Sequence, residues 1–246
     1  MTTLAEGTTP FRDGETWYAV SQPAAPVPAA HLPLVVLHGG PGMTHDYLLL
    51  GHSWGGMLAQ EFTFTRPAGQ PASQPASQPA SQPASQASLI LSDTSSSSAA
   101  IVESITALMA PISAEVPDDE QAQRNLFFGR HVCRLDPTPD DLVRSYELVA
   151  QNPSVFAAMM GPTGDDTGTL HGWTAIPRLP EITVPTLVLA GEHDELQPVA
   201  WSPFAKQTPG ARTHVFAGAS HVPYLEVPEE YHAVVGGFLA EHDGAA

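Results

Sequence analysis

The sequence predicts an α/β protein: a mostly parallel, truncated sheet with a small helical lid. Three observations carry that expectation. Apolar runs at "LPLVVL" (32–37), "ASLILSD" (87–93) and "PTLVLAG" (185–191) read as buried strands. Segments of helical periodicity separate the second and third runs. The residue types able to do chemistry fall just past strand ends, where α/β sheets gather their ligands.

Taken in order, "ETWYAV" (15–20) alternates and is rich in β-formers, so it reads as a strand. "LPLVVL" is a continuous apolar run and reads as a strand buried on both faces. Gly39, Gly40 and Gly42 surround Pro41 after it, a loop that must bring backbone close to something. From 67 to 88 the tetrapeptide QPAS repeats four times in tandem, and proline at that density forbids helix and central strand. That tract reads as a flexible exposed loop.

"ASLILSD" then resumes the sheet. Apolar positions 101, 102, 105, 108 and 109, and again 142, 143, 146 and 149, have helical spacing. With the turn-rich "GPTGDDTGTLHGW" (161–173), these helices read as a lid. "PTLVLAG" and "THVF" (213–216) return to strand, and a final helix places apolar residues at 227, 231, 234, 235, 238 and 239. The expected division is an N-terminal core part at 1–98, a lid at 99–172 and a C-terminal core part at 173–246.

Composition narrows the function. Twenty-six acidic against nine basic residues give a formal charge of −17, which repels phosphate backbones and disfavours nucleic acid as a partner. The single cysteine excludes an intramolecular disulfide and a thiolate metal cluster. The first residues have no basic start followed by an apolar stretch, and no run approaches a membrane span. A soluble cytoplasmic protein without cofactor is expected.

"GHSWGG" (51–56) fits G-x-S-x-G, in which a serine sits on a tight strand-to-helix turn with small neighbours, here Gly51 and Gly55. The following helix points its N-terminus at Ser53, so the Trp54 N–H faces a developing oxyanion. "HGGPG" (38–42) supplies a second such donor, at Gly39 or Gly40. Asp194 follows one strand and His221 follows the last, giving the chain order Ser, Asp, His. In these roles Ser53 attacks an acyl carbon, His221 moves its proton and Asp194 orients the imidazole. Asp93, also just past a strand, is the alternative acid. His38 and His52 are expected to hold the conformation beside the glycine loops, and the other histidines, His193 included, are assigned no catalysis. No H-E-x-x-H spacing supports a metal site.

"HGGPG" with "HDYL", "GHSWGGMLAQEF", "GEHDE" and the "SH" of His221 resemble the proline iminopeptidase family of α/β hydrolases. "RHVCRLDP" and "GPTGDDTGTLHGW" are similar to its lid and lid-to-sheet return. The resemblance implies release of an N-terminal residue, often proline, from small peptides or amides through an acyl-enzyme. It also implies carboxylates that grip the free amino group. Glu195 matches one such position. Asp165 or Asp166 stands where the family has a glutamate. A general esterase or amidase, and an inactive derivative, are the alternatives. A dehalogenase or epoxide hydrolase is disfavoured, because those need a carboxylate at the place of Ser53.

One feature departs from the family. In that fold the glycine-loop strand and the nucleophile strand are joined by two helices and another strand, roughly 45–50 residues by typical element lengths. Here, if "YLLL" (47–50) is the nucleophile strand, fewer than about ten residues remain, below the usual ~10–12 of a parallel crossover. An internal strand with its covering helices is therefore expected to be missing.

Overall fold

A computed structural model describes residues 3–11, 14–22, 34–37, 51–65 and 88–242. The expected glycine loop, "YLLL" and the QPAS tract lie outside the described residues. Contacts divide the chain into Met1–Pro33 and Leu34–Ala246.

In the first unit, β1 (Thr3–Phe11) and β2 (Gly14–Gln22) form an antiparallel pair running from Thr3 opposite Gln22 to Phe11 opposite Gly14. The expected strand at 15–20 is the middle of β2.

The second unit is built on a four-stranded parallel sheet in the order β3 (Gly51–His52), β4 (Leu89–Ser92), β5 (Thr186–Gly191) and β6 (Arg212–Phe216). Alternation along the strands sends side chains to two apolar layers. Ile90, Leu187 and Leu189 pack with Phe216, Tyr231 and Phe238 on one side. Leu89, Leu91 and Val188 pack with Ala59, Phe64 and Phe204 on the other. The first layer is covered by α8 (Pro228–His242), the second by α1 (Trp54–Thr65) and α6 (Pro198–Gln207). Every residue of β4 and β5 is therefore buried, which is why both strands read as unbroken apolar runs. Truncating Leu189, with no exposed surface, to Ala would cost about 2–5 kcal/mol.

Between β4 and β5 lie α2 (Ser98–Glu115), α3 (Glu120–Phe127), a π-helical turn (Phe128–Val132), α4 (Asp140–Gln151), α5 (Ser154–Met160) and a 3-10 turn (Ile176–Glu181). Ser97 caps α2 by accepting the Ala100 N–H at 3.2 Å, and Asp119 caps α3 through Ala122 N–H at 2.9 Å. The short α7 (Pro223–Glu226) precedes α8. Among the described residues, no helix is long and apolar enough to cross a membrane.

The "LPLVVL" expectation needs correction. Leu34 and Val35 are 50% and 73% exposed, and of the described 34–37 only Leu37 is bridged into the sheet, in parallel with Gly51. The His52 N–H also donates to Leu37 O at 3.2 Å. Among the described residues nothing pairs with the outer side of this segment. The described part of this apolar run is therefore not covered on both faces. The bridge puts Leu37 directly beside the nucleophile strand, and the connection from Leu37 to Gly51 has the thirteen residues 38–50.

Candidate active site

Ser53 lies on the turn between β3 and α1 with φ of +53°, in the left-handed region that non-glycine residues rarely adopt. The turn is held from both ends. The Ser53 N–H donates to Ser92 O at 3.0 Å, and Ser53 O accepts from Gly56 N at 2.9 Å and from Thr94 Oγ1 at 2.5 Å. Two glycines make it sterically feasible. A Cβ on Gly51 would sit 2.9 Å from Ala59 Cβ, and one on Gly56 would sit 2.5 Å from Thr94. Gly56, which the motif reading did not single out, is thus a further close approach. Trp54 opens α1, so its N–H belongs to the helix N-terminus beside Ser53.

Asp194 follows β5 and is fully buried, and His221 follows β6 and is nearly so. Asp194 Oδ1 meets His221 Nδ1 at 2.7 Å and also accepts the Leu196 N–H at 2.8 Å. Of the two acids considered from sequence, Asp194 is the one paired with the imidazole. The far nitrogen, Nε2, has Glu195 Oε1 at 3.5 Å. Among the described residues no hydrogen bond joins Ser53 Oγ to the imidazole; such contacts are often long without substrate.

The loops carrying acid and base are clasped together by backbone. His131 O, in the π-helical turn, accepts both Glu195 N–H at 3.0 Å and His221 N–H at 3.2 Å. Its Nδ1 lies 2.9 Å from His193 O. His52 Nε2 lies 2.8 Å from His221 O, so this histidine holds the base loop as expected for a flanking residue. Glu226 pins the same loop, accepting from Ser220 N at 2.5 Å and from Ser220 Oγ at 2.7 Å. Gly191 is obligatory here, because a Cβ would run into the Ser220 carbonyl.

Electrostatically the site is crowded with acid. Burial opposes charge on His221, but chiefly Asp194 and then Glu195 outweigh it and hold the imidazole pKa at about 10. Burial, then the charge of Asp194, pushes the Asp93 carboxyl well above the usual carboxylate range. Burial also raises Glu195, whose side chain is partly buried.

The lid-return acids have partners of their own. Asp165 is exposed and its Oδ1 accepts from Thr167 Oγ1 at 2.7 Å. Asp166 is buried with φ of +57°; its Oδ2 is 3.4 Å from His171 Nδ1, and among the described residues its Oδ1 has no hydrogen-bond partner. Among the described residues neither contacts Ser53, Asp194 or His221. The return segment itself is anchored beside the elbow: Trp173 Nε1 donates to Glu61 Oε1 at 2.8 Å, and Ala175 N–H to Ser96 O at 2.9 Å. Gly39 and Gly40 lie outside the described residues. Two open cavities of about 380 and 390 Å³ share Gly129, Arg134 and Leu135 and include no residue of the expected triad.

Sequence reasoning missed His131 and Glu226. The first acts through its backbone carbonyl, which side-chain identity does not encode.

A profile of the alpha/beta hydrolase family matches residues 6–234. The crystal structure of proline iminopeptidase from Mycobacterium smegmatis superposes with a TM-score of 0.80 at 32% identity, covering 98% of this chain and 99% of that one. The proline iminopeptidase of Heyndrickxia coagulans is 32% identical over 195 residues, 78% of this chain but 66% of that protein. That of Lactobacillus helveticus (strain DPC 4571) aligns at 24% identity over 314 positions, covering 98% and 99% of the two chains. The chain belongs to the α/β-hydrolase superfamily and, within it, to the proline iminopeptidase family. Because 314 positions exceed the 246 residues of this chain, the Lactobacillus protein carries stretches absent here.

Proposed function

We propose that the chain is a serine hydrolase that releases N-terminal residues, proline-type, from short peptides or amides through an acyl-enzyme. The single observation carrying this reading is the buried Asp194–His221 pair beside an elbow that holds Ser53 at positive φ.

In the reaction, Ser53 Oγ attacks the carbonyl carbon of the N-terminal residue while His221 Nε2 takes the hydroxyl proton. The carbonyl oxygen becomes an oxyanion facing the Trp54 N–H, with Gly39 or Gly40 in the expected second place. Collapse breaks the C–N bond, and His221 passes its proton to the leaving amine. Water, deprotonated by the same imidazole, then hydrolyses the ester to free the amino acid. Asp194 keeps Nδ1 protonated and stabilises the imidazolium.

The substrate's ammonium group needs a buried or semi-buried anion. Glu195, whose Oε1 lies 3.5 Å from the imidazole, is the candidate for that role. Asp166, whose Oδ1 is buried without a donor, is the better of the two lid-return carboxylates, since a buried lone acceptor gains most from an incoming N–H. Small peptides or amides with a free N-terminus are thus the proposed partners, in a cytoplasmic setting.

A general esterase or amidase is the second reading. It is favoured by the partners that Asp165 and Asp166 already hold, Thr167 and His171.

The test is labelling of soluble protein with a fluorophosphonate probe beside Ser53→Ala, then turnover of L-proline 4-nitroanilide beside its N-acetylated form. Labelling of wild type alone, with preference for the free amine, is expected. Preference for the blocked substrate would favour the esterase reading. A folded wild type that does not label would mean an inactive derivative.

A further inference from the structure

The reaction as proposed leaves Asp93 without a part, yet it is fully buried against the acid that has one. It stands one residue past β4, and Asp194 stands in the loop past the neighbouring β5. Parallel pairing of the two strands, with Ser92 opposite Leu189, brings the loops carrying these two buried carboxyls side by side, close enough that each acts on the other's charge. Asp93 is held in place with φ of +47°, its N–H donating to Leu189 O at 2.8 Å. Its Oδ1 accepts the Gly191 N–H at 3.0 Å and its Oδ2 accepts Ser92 Oγ–H at 2.6 Å. Ser92 Oγ in turn accepts the Tyr231 phenol at 3.0 Å.

Asp194 presents the complementary deficit. Oδ1 serves both His221 and Leu196, whereas Oδ2 is buried and has no donor among the described residues. A buried carboxylate oxygen left unpaired is destabilising, and two buried carboxylates in contact repel one another if both are ionised. One proton between them removes both penalties.

We propose that Asp93 is a positioning residue of the triad: a neutral carboxyl whose O–H donates to Oδ2 of Asp194 and fixes the plane that Asp194 presents to His221. The proton belongs to Asp93 because Asp194 already faces the imidazole at 2.7 Å, which favours its anionic form. Burial and the neighbouring charge of Asp194 act on Asp93 in the same direction. The groups around it are Asp194, His221, the Ser92 hydroxyl, the Gly191 N–H and, through Ser92, Tyr231 from α8; Glu195 faces only the far side of His221. A continuous buried path then runs Tyr231, Ser92, Asp93, Asp194, His221.

The proposal rests on reading Asp194 and His221 as the catalytic pair, but the proton on Asp93 is observable without turnover. Infrared spectra of the wild-type protein in D2O near neutral pH should contain the carbonyl stretch of a protonated carboxylic acid, absent from Asp93→Asn. Absence of that band in wild type, or its persistence in Asp93→Asn, overturns the proposal whatever the enzyme turns over.

Kinetics give the second readout. On 4-nitrophenyl acetate, Asp93→Ala should lose roughly 10-fold or more in kcat, as expected when a buried acceptor loses its donor. Asp93→Asn keeps a neutral N–H donor and should recover most of that loss with the pH midpoint unmoved. A midpoint lowered by about one unit in Asp93→Asn would show that Asp93 was an anion, and would refute the proposal. If Asp93→Ala does not fold, the wild-type band and Asp93→Asn decide.

Discussion

Replacing Glu195 by Gln removes a charge 3.5 Å from the imidazole nitrogen that must accept the serine proton. At that distance two unit charges interact by about 1.2 kcal/mol in bulk water and about 4.7 kcal/mol at an effective dielectric of 20. Divided by 1.36 kcal/mol per unit, this is roughly 1–3.5 pKa units on His221. The side chain of Glu195 is 21% exposed, so solvent screens the pair and about one unit is the conservative expectation. The direction is fixed: a carboxylate favours the imidazolium, so its loss lowers the pKa of His221 from about 10. The assay is kcat/KM against pH on an uncharged ester, which reports the base of the free enzyme. In Glu195→Gln the rising limb should move about one unit or more toward acid, and ester hydrolysis near neutral pH should increase. On L-proline 4-nitroanilide the same variant should be much slower if Glu195 anchors the amine as proposed. A limb displaced by less than about 0.3 unit would refute the electrostatic reasoning. Equal rate changes on both substrates would remove the amine-binding role.

Three further outcomes are expected. Ser53→Ala and His221→Ala should each lower kcat by several orders of magnitude, roughly 10⁴-fold or more, and a variant retaining most of the rate would overturn the triad. His221 holds its proton more tightly folded than unfolded, so its stabilisation is complete below about pH 6.5 and is lost as pH rises through about 10. The melting temperature should therefore fall across that window, and less steeply in His221→Gln; identical slopes would contradict it. Gly191→Ala forces a Cβ against the Ser220 carbonyl and should destabilise the fold by about 1–3 kcal/mol in urea titration, with an unchanged midpoint as the refuting result.

Much of this molecule is written locally. Strands β4 and β5 announce themselves because apolar layers on both faces demand unbroken apolar sequence. The candidate catalytic residues are legible because each follows a strand and the order Ser53, Asp194, His221 is preserved. Strand β1 escaped notice, although Asp13-Gly14 before "ETWYAV" is a hairpin signal and Thr8, Thr9 and Phe11 suit a strand. The exposure of Leu34 and Val35 was not legible, since hydropathy reports what a residue would prefer and not whether a neighbour is there. Asp93 was visible as a rival to Asp194. That the two stand side by side follows from the β4–β5 register, a pairing between segments far apart in the chain.

The bridge between Leu37 and Gly51 also bears on how such a chain tolerates its loss of length. Ser53, Asp93, Asp194 and His221 follow four consecutive strands, β3 to β6, and Leu37 adjoins the outermost of them. A sheet of this kind is assembled like a row of books: volumes removed beyond the last needed one leave the others in order, whereas one taken from the middle would part them. Trimming on the Leu37 side would shorten the row without separating any two of the working loops.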